Sequence, residues 1–267
     1  MTASTPRWIE TGHGQRGLLF LHGVSGGAAG ALDLLPALTP PGWRGLAWDM
    51  PGYGTSAPIR SLDFNLLADA LIALLDAAGL DQAVLVGHSM GGMVALQVAA
   101  RFPNRVSGLV LACCTPAFGA ASGPLQQAFL ERRLGPLDEG ASMRELAIEL
   151  IPGMVGPGGD PQVVADAVDL MAEIPPDSYR TAMEALVAFD QRAALPGLTM
   201  PTLVLAGVHD RVSVPQVVRR MAERIPAATY RELEAGHLAP FEEPEAFAAE
   251  VRRFLQGLDH APVTFLL

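Results

Sequence analysis

The run Gly87-His88-Ser89-Met90-Gly91 constrains this chain more than any other. It sits between the apolar stretch Ala83-Val84-Leu85-Val86 and a segment of helical pattern from about Met90 to Arg101, closed by Pro103. Gly-x-Ser-x-Gly alone arises by chance; between a buried strand and a helix it predicts a specific turn. That turn is too sharp for side chains two residues either side of the serine, and glycine relieves the crowding. The hydroxyl is pushed to the carboxyl edge of a sheet, at a helix N-terminus that favours developing negative charge. By itself the run is only a glycine-rich turn, so the chain must also supply a base and an acid.

The surrounding pattern supports an open α/β sheet. Gly17 to Leu21, Leu46 to Trp48, Ala83 to Val86 and Val106 to Leu111 are short continuous apolar runs, as expected of buried parallel strands. A helix follows the second run: Leu67, Leu71, Leu74 and Leu75 share a face, Asp63 can cap its start and Gly79 can end it. From about Thr115 to Leu195 no strand pattern is found. Helical segments near 124–134, 142–150, 161–173 and 177–189 fill that stretch. The α/β rhythm returns with Thr202 to Ala206, a helix over about 215–225, and a last strand over Thr229 to Leu233. A final helix starts near Pro244, buries Phe247, Val251 and Phe254, and is expected to stop at Gly257. The predicted organisation is a core of residues 1–114 and 196–267, with an inserted helical lid over 115–195.

A serine hydroxyl needs a base to act as nucleophile near neutral pH. Six histidines are available. His13 and His260 lie near the ends, His22 and His88 belong to turn motifs, and His209 precedes Asp210. His237 follows the last predicted strand. In a parallel sheet all strands end on one edge, so His237 can meet Ser89 there. The base must be held in one tautomer by an acid. Asp210 follows the preceding strand and is the candidate; Asp49 reads as a turn residue and Glu234 is a competitor close to His237. The order Ser89, Asp210, His237 fits an elbow-type serine enzyme. The oxyanion of acyl transfer needs amide donors. Met90, after the nucleophile, supplies one. The glycine-rich loop His22-Gly23-Val24-Ser25-Gly26-Gly27 supplies the other, with Val24 as candidate.

Composition removes several classes. The net charge is −10, and all 18 basic residues are Arg. With no basic stripe, nucleic acid is not an expected partner. Without Lys there is no Schiff-base chemistry and no Ser–Lys dyad. Cys113 and Cys114 are adjacent, too close for ordinary disulfide geometry. They suit a reducing compartment, and residues 1–10 lack a signal-peptide core, so a cytoplasmic protein is expected. No run of about 18 uncharged apolar residues is present to span a membrane. No cofactor is implied, and no Cys/His cluster has metal-ligand spacing.

Together, His22-Gly23, Asp49-Met50-Pro51-Gly52-Tyr53-Gly54, the serine elbow, Asp210 and His237 resemble the α/β-hydrolase superfamily. The resemblance implies a mostly parallel central sheet flanked by helices with an inserted helical lid. The leading hairpin of that family is expected to be shortened, since about twenty residues precede His22. Thr115-Pro116-Ala117-Phe118-Gly119, Phe129-Leu130-Glu131-Arg132-Arg133-Leu134, Ala188-Phe189-Asp190 and Ala235-Gly236-His237-Leu238 are similar to 3-oxoadipate enol-lactonases and their hydrolase relatives. A serine rather than aspartate at the elbow argues against dehalogenases and epoxide hydrolases of this superfamily. The expected substrate is a small carboxylic ester or lactone. The alternatives are a carbon–carbon bond hydrolase of ring-cleavage products and a non-enzymatic ligand-binding module. Arg132 and Arg133 could meet a substrate carboxylate, but two arginines on a helix usually form a solvated face.

Overall fold

Among the described residues, seven strands carry the fold. They are β1 (Trp8–Gly12), β2 (Arg16–Leu21), β3 (Trp43–Trp48), β4 (Ala83–His88), β5 (Val106–Ala112), β6 (Thr202–Gly207) and β7 (Ala228–Leu233). The computed structural model describes residues 5–58, 61–118, 123–226 and 228–259. The sheet order is β1-β3-β2-β4-β5-β6-β7, and only β1 runs antiparallel to its neighbour. Strand β4, which leads into Ser89, is central, with β6 and β7 on one side and β3 on the other.

Helices close both faces. In chain order they are α1 (Leu34–Leu38), α2 (Phe64–Ala77), α3 (Met90–Arg101), α4 (Pro124–Asp138), α5 (Met143–Leu150), α6 (Pro161–Ala172), α7 (Pro176–Val187), α8 (Pro215–Glu223), α9 (Ala239–Glu242) and α10 (Pro244–Asp259). Alternation along the strands divides the core. Leu19, Leu21, Leu85, Leu109 and Leu111 join the layer containing residues of α2 and α3. Leu18, Phe20, Val84, Val86 and Val110 join the layer of α1 and α10. A sheet buried on both faces explains why its strands read as unbroken apolar runs.

Asp63 caps α2 by accepting from Leu66 N at 2.8 Å, and Gly79 ends it with φ +68°. Both match the expectation. Other boundaries differ. β1 has no counterpart in the sequence reading: Trp8, Ile9 and Thr11 are half-buried on an edge and show no clear alternation. The leading antiparallel element is therefore short, as expected, but present. α1 was also not anticipated, because five residues give too little periodicity. α10 continues through Gly257 to Asp259. Gly257 lacks the left-handed φ that would end a helix, and an interior glycine costs only about 1 kcal/mol. α4 likewise extends past 134 and runs through Pro136.

Between β5 and β6 the described residues form helices α4 to α7 and no strand of the sheet. The two ends of this segment are tied to each other. Ala117 bridges Asp190, Phe118 N donates to Phe189 O at 3.0 Å, and Gln191 N donates to Pro116 O at 2.8 Å. Ser142 and Glu145 form a reciprocal cap at the start of α5. His260 and the tail to Leu267 lie outside the described residues.

Candidate active site

β4 ends at His88, and α3 begins at Met90. Ser89 makes the whole turn, with φ 53° and ψ −121°. A non-glycine residue with positive φ is strained and must be held by its surroundings. Ser89 N donates to Ala112 O at 2.9 Å, and Ser89 O accepts from Gly92 N at 2.9 Å. The flanking glycines are sterically required: a Cβ on Gly91 would strike the Leu21 carbonyl, and one on Gly87 would strike Gly91 and Gly92. The serine side chain is left half-exposed on the carboxyl edge.

The loop after β7 brings His237 to that edge. Its Nε2 lies 2.9 Å from Ser89 Oγ, and its Nδ1 lies 2.8 Å from Asp210 Oδ2. Asp210 follows β6, and its second oxygen, Oδ1, accepts from Val212 N at 2.7 Å and Ser213 N at 2.8 Å. A carboxylate so occupied must accept from the ring, so Nδ1 carries the proton and Nε2 is free to accept from the serine. Burial raises the Asp210 pKa, but the bond from His237 and the two amides outweigh it and hold it below its ordinary value. The three residues that sequence spacing selected are thus brought into one hydrogen-bonded line. The competitors are engaged elsewhere. Glu234 pairs with His209 at 2.8 Å, and Asp49 accepts from Ala28 N at 2.8 Å and Thr55 N at 3.2 Å as a turn residue.

The oxyanion candidates come from two separate segments of the chain. Met90 opens α3. Val24 lies in the loop after β2, one residue beyond Gly23, where an added Cβ would sit 3.1 Å from Ser89 Cβ. That loop is anchored: the Tyr53 hydroxyl donates to Val24 O at 3.0 Å, and Met50 N donates to His22 Nε2 at 3.0 Å. His22 Nδ1 donates to Gly23 O at 2.7 Å. His88 Nε2 donates to His237 O at 2.7 Å, tying the end of β4 to the loop that carries His237. Its place before Ser89 was visible in the sequence; a partner 149 residues away was not.

These supporting rings give a stability prediction. Burial lowers the pKa of His22, and burial together with the adjacent His237 lowers that of His88 to about 3, from an ordinary 6.5. Both stay neutral in the folded protein while the unfolded chain takes up protons below about pH 6.5. Stability is therefore full above that pH and falls as the pH drops: His88 alone contributes a slope of about 1.4 kcal/mol per pH unit towards about pH 3, and His22 acts in the same direction. Urea unfolding should show a lower midpoint at pH 5 than at pH 7.5. Equal midpoints would contradict the neutral, buried rings.

Cys113 and Cys114 are free and buried. Burial raises the pKa of Cys113 well above its ordinary value and that of Cys114 to about 12, so neither thiol offers a thiolate near neutral pH. Arg132 is exposed, whereas Arg133 is half-buried with its guanidinium 5.3 Å from the Phe129 ring centre. Among the described residues no group of three His, Cys, Asp or Glu side chains could hold a metal ion, and no helix is long and apolar enough to cross a membrane.

A cleft of about 1100 Å³ opens beside the site, between the loop after β2, α1, α6 and α10. Gly23 and His88 are in its wall, while Ser89 and His237 are not, so it adjoins that pair without containing it. Asp33, Asp166, Asp169, Glu173 and Glu245 line it against two arginines, Arg144, paired to Asp169 at 2.7 Å, and Arg252, which donates to Ala37 O at 2.5 Å.

Comparison with known proteins identifies the family of the fold. The profile of a family described as having the alpha/beta hydrolase fold matches residues 18–244. The chain is 30% identical over 205 residues to 3-oxoadipate enol-lactonase 2 of Acinetobacter baylyi, across 76% of this chain and 74% of that protein. It is 32% identical over 253 residues to the pimeloyl-[acyl-carrier protein] methyl ester esterase of Vibrio campbellii, across 92% and 97%. Among solved structures, the enol-lactonase from Burkholderia xenovorans superposes with a TM-score of 0.85 at 25% identity, covering 96% of this chain and 99% of that one.

Proposed function

The chain belongs to the α/β-hydrolase fold family, and on that premise we propose that it hydrolyses small carboxylic esters or lactones through an acyl-enzyme on Ser89. The observation that carries this reading is the unbroken line from Ser89 Oγ through His237 to Asp210, at 2.9 and 2.8 Å. The named esterase and lactonase relatives support the reaction class.

In the proposed mechanism Ser89 Oγ attacks the carbonyl carbon while His237 Nε2 takes its proton. The carbonyl oxygen becomes an oxyanion held by the Val24 and Met90 amides; each such donor is worth about 3 kcal/mol in sites of this kind. Asp210 stabilises the imidazolium and keeps the ring oriented. His237 returns the proton to the departing alcohol, or to the ring-opened alkoxide of a lactone. Water, deprotonated by the same nitrogen, then cleaves the acyl-enzyme and the acid leaves. No cofactor enters this cycle. We read residues 115–195 as a cap over the site, with 1–114 and 196–267 as the core. The carboxylates of the adjoining cleft favour uncharged substrates over dianionic ones. The free, buried cysteines support a cytoplasmic location.

The test is a substrate panel: p-nitrophenyl acetate, a simple lactone and a dienoate-diketone. Turnover of the ester, with an initial burst of p-nitrophenol, or turnover of the lactone to its hydroxy acid, is the expected result. Cleavage of the diketone alone would favour carbon–carbon bond hydrolysis. Turnover of none would favour a binding role.

A further inference from the structure

Glu242 ends the short helix α9, five residues after His237. The mechanism above does not use it. One of its oxygens, Oε2, accepts two backbone amides: Gly156 N at 2.7 Å and Gly236 N at 3.0 Å. Gly236 precedes the histidine, and Gly156 belongs to the segment between β5 and β6. The carboxylate therefore joins two stretches of chain 80 residues apart in sequence, and both bonds are charge-assisted. Its other oxygen is buried, with no hydrogen bond among the described residues.

The same two stretches touch directly. His237 N donates to Met154 O at 2.7 Å. An added Cβ on Gly236 would sit 2.5 Å from Gly156 N and 2.7 Å from Val155 C, so the backbones are in close contact. The main chain of His237 is thus held from two directions, by Met154 on its N–H and by His88 on its C=O. Its ring has to satisfy Asp210 and Ser89 at once. Misplacing a reacting group by about 1 Å can cost about a hundredfold in rate. Whatever fixes Gly236 therefore bears on the base.

We propose that Glu242 is a positioning residue: it clamps the Met154–Gly156 stretch onto the histidine loop and so sets the His237 ring against Ser89. The inference rests on the role of Ser89 and His237 given above. It makes the seating of the cap a condition for an aligned base, because the cap's own backbone supplies part of the loop's support.

The test compares Glu242→Ala, Glu242→Gln and Gly156→Ala with the wild type. Two readings are taken, p-nitrophenyl acetate kinetics and amide hydrogen exchange in peptides covering 150–160 and 233–240. Alanine removes the shared acceptor. It should lower kcat by about tenfold to a hundredfold with KM within about twofold, and speed exchange in both peptides. Glutamine keeps an acceptor oxygen and should recover most of the lost kcat. Gly156→Ala leaves the carboxylate in place but puts a Cβ 3.0 Å from Gly236 N and 3.2 Å from Glu242 Oε2, so it should lower kcat from the cap side. This variant still decides the matter if Glu242→Ala fails to fold. Unchanged exchange, or faster exchange with kcat within about twofold of wild type, would overturn the proposal. A wild type inactive on every ester would count against the acyl-transfer reading instead, since the exchange comparison alone still shows whether the clamp exists.

Discussion

Ser89→Ala is expected to lose about 10⁵–10⁶ in kcat on p-nitrophenyl acetate while remaining folded. The magnitude follows from the roles in the line. Without Oγ no acyl-enzyme forms, and His237 and Asp210 have nothing to activate, so the whole gain from the triad disappears at once. About 10³-fold acceleration over water should remain from the oxyanion amides and binding. The fold should hold, because Ser89 is fixed through its backbone: its N–H and C=O bond to Ala112 and Gly92. Alanine tolerates the positive φ no better than serine, so circular dichroism and thermal melting should change little. A variant that keeps more than about a hundredth of wild-type kcat would mean that another group performs the attack.

Asp210→Asn carries the second largest effect, and its direction can be worked out from the bonds. Asp210 Oδ1 accepts from two amides, Val212 and Ser213. Asparagine has one acceptor oxygen, and those two donors will claim it. Its NH₂ group then faces His237 Nδ1, which must become the acceptor. The ring proton moves to Nε2, the nitrogen that has to take the proton of Ser89. The base is then in the wrong tautomer although the geometry is intact. The expected loss is about 10⁴ in kcat/KM at neutral pH, with the melting temperature changed by only a few degrees. A loss below about tenfold would show that Asp210 does not set the tautomer.

Much of this site is legible in the chain because its parts are local. The elbow is five residues long, and its strand and helix are its immediate neighbours. Asp210 and His237 are found by a topological rule, since parallel strands deliver their following loops to one edge. The buried strands β2 and β4 to β6 were visible because both their faces are covered. β1 was not, because an edge strand that is half-exposed loses the pattern that marks a strand. The end of α10 was misplaced at Gly257 because the terminating role of glycine depends on a left-handed φ, which composition does not reveal.

The supports of the site were harder to see. His88 and Glu242 act through partners 149 and 86 residues away, and no spacing rule encodes such pairs. Glu242 left a faint signal: it follows the apolar run Leu238-Ala239-Pro240-Phe241, where a carboxylate needs a reason to be. Val24 was chosen by its order in the chain, but its anchoring by Tyr53 emerged only with the packing of the loop.

The proposed chemistry requires Ser89 Oγ to be an activated nucleophile. Its most direct test is to treat the purified protein with a fluorophosphonate, then weigh it intact and map the labelled peptide. One adduct per chain is expected, on Ser89, formed far more slowly in Asp210→Asn and absent in Ser89→Ala. No adduct on the wild type, or an adduct on any other residue, would contradict it.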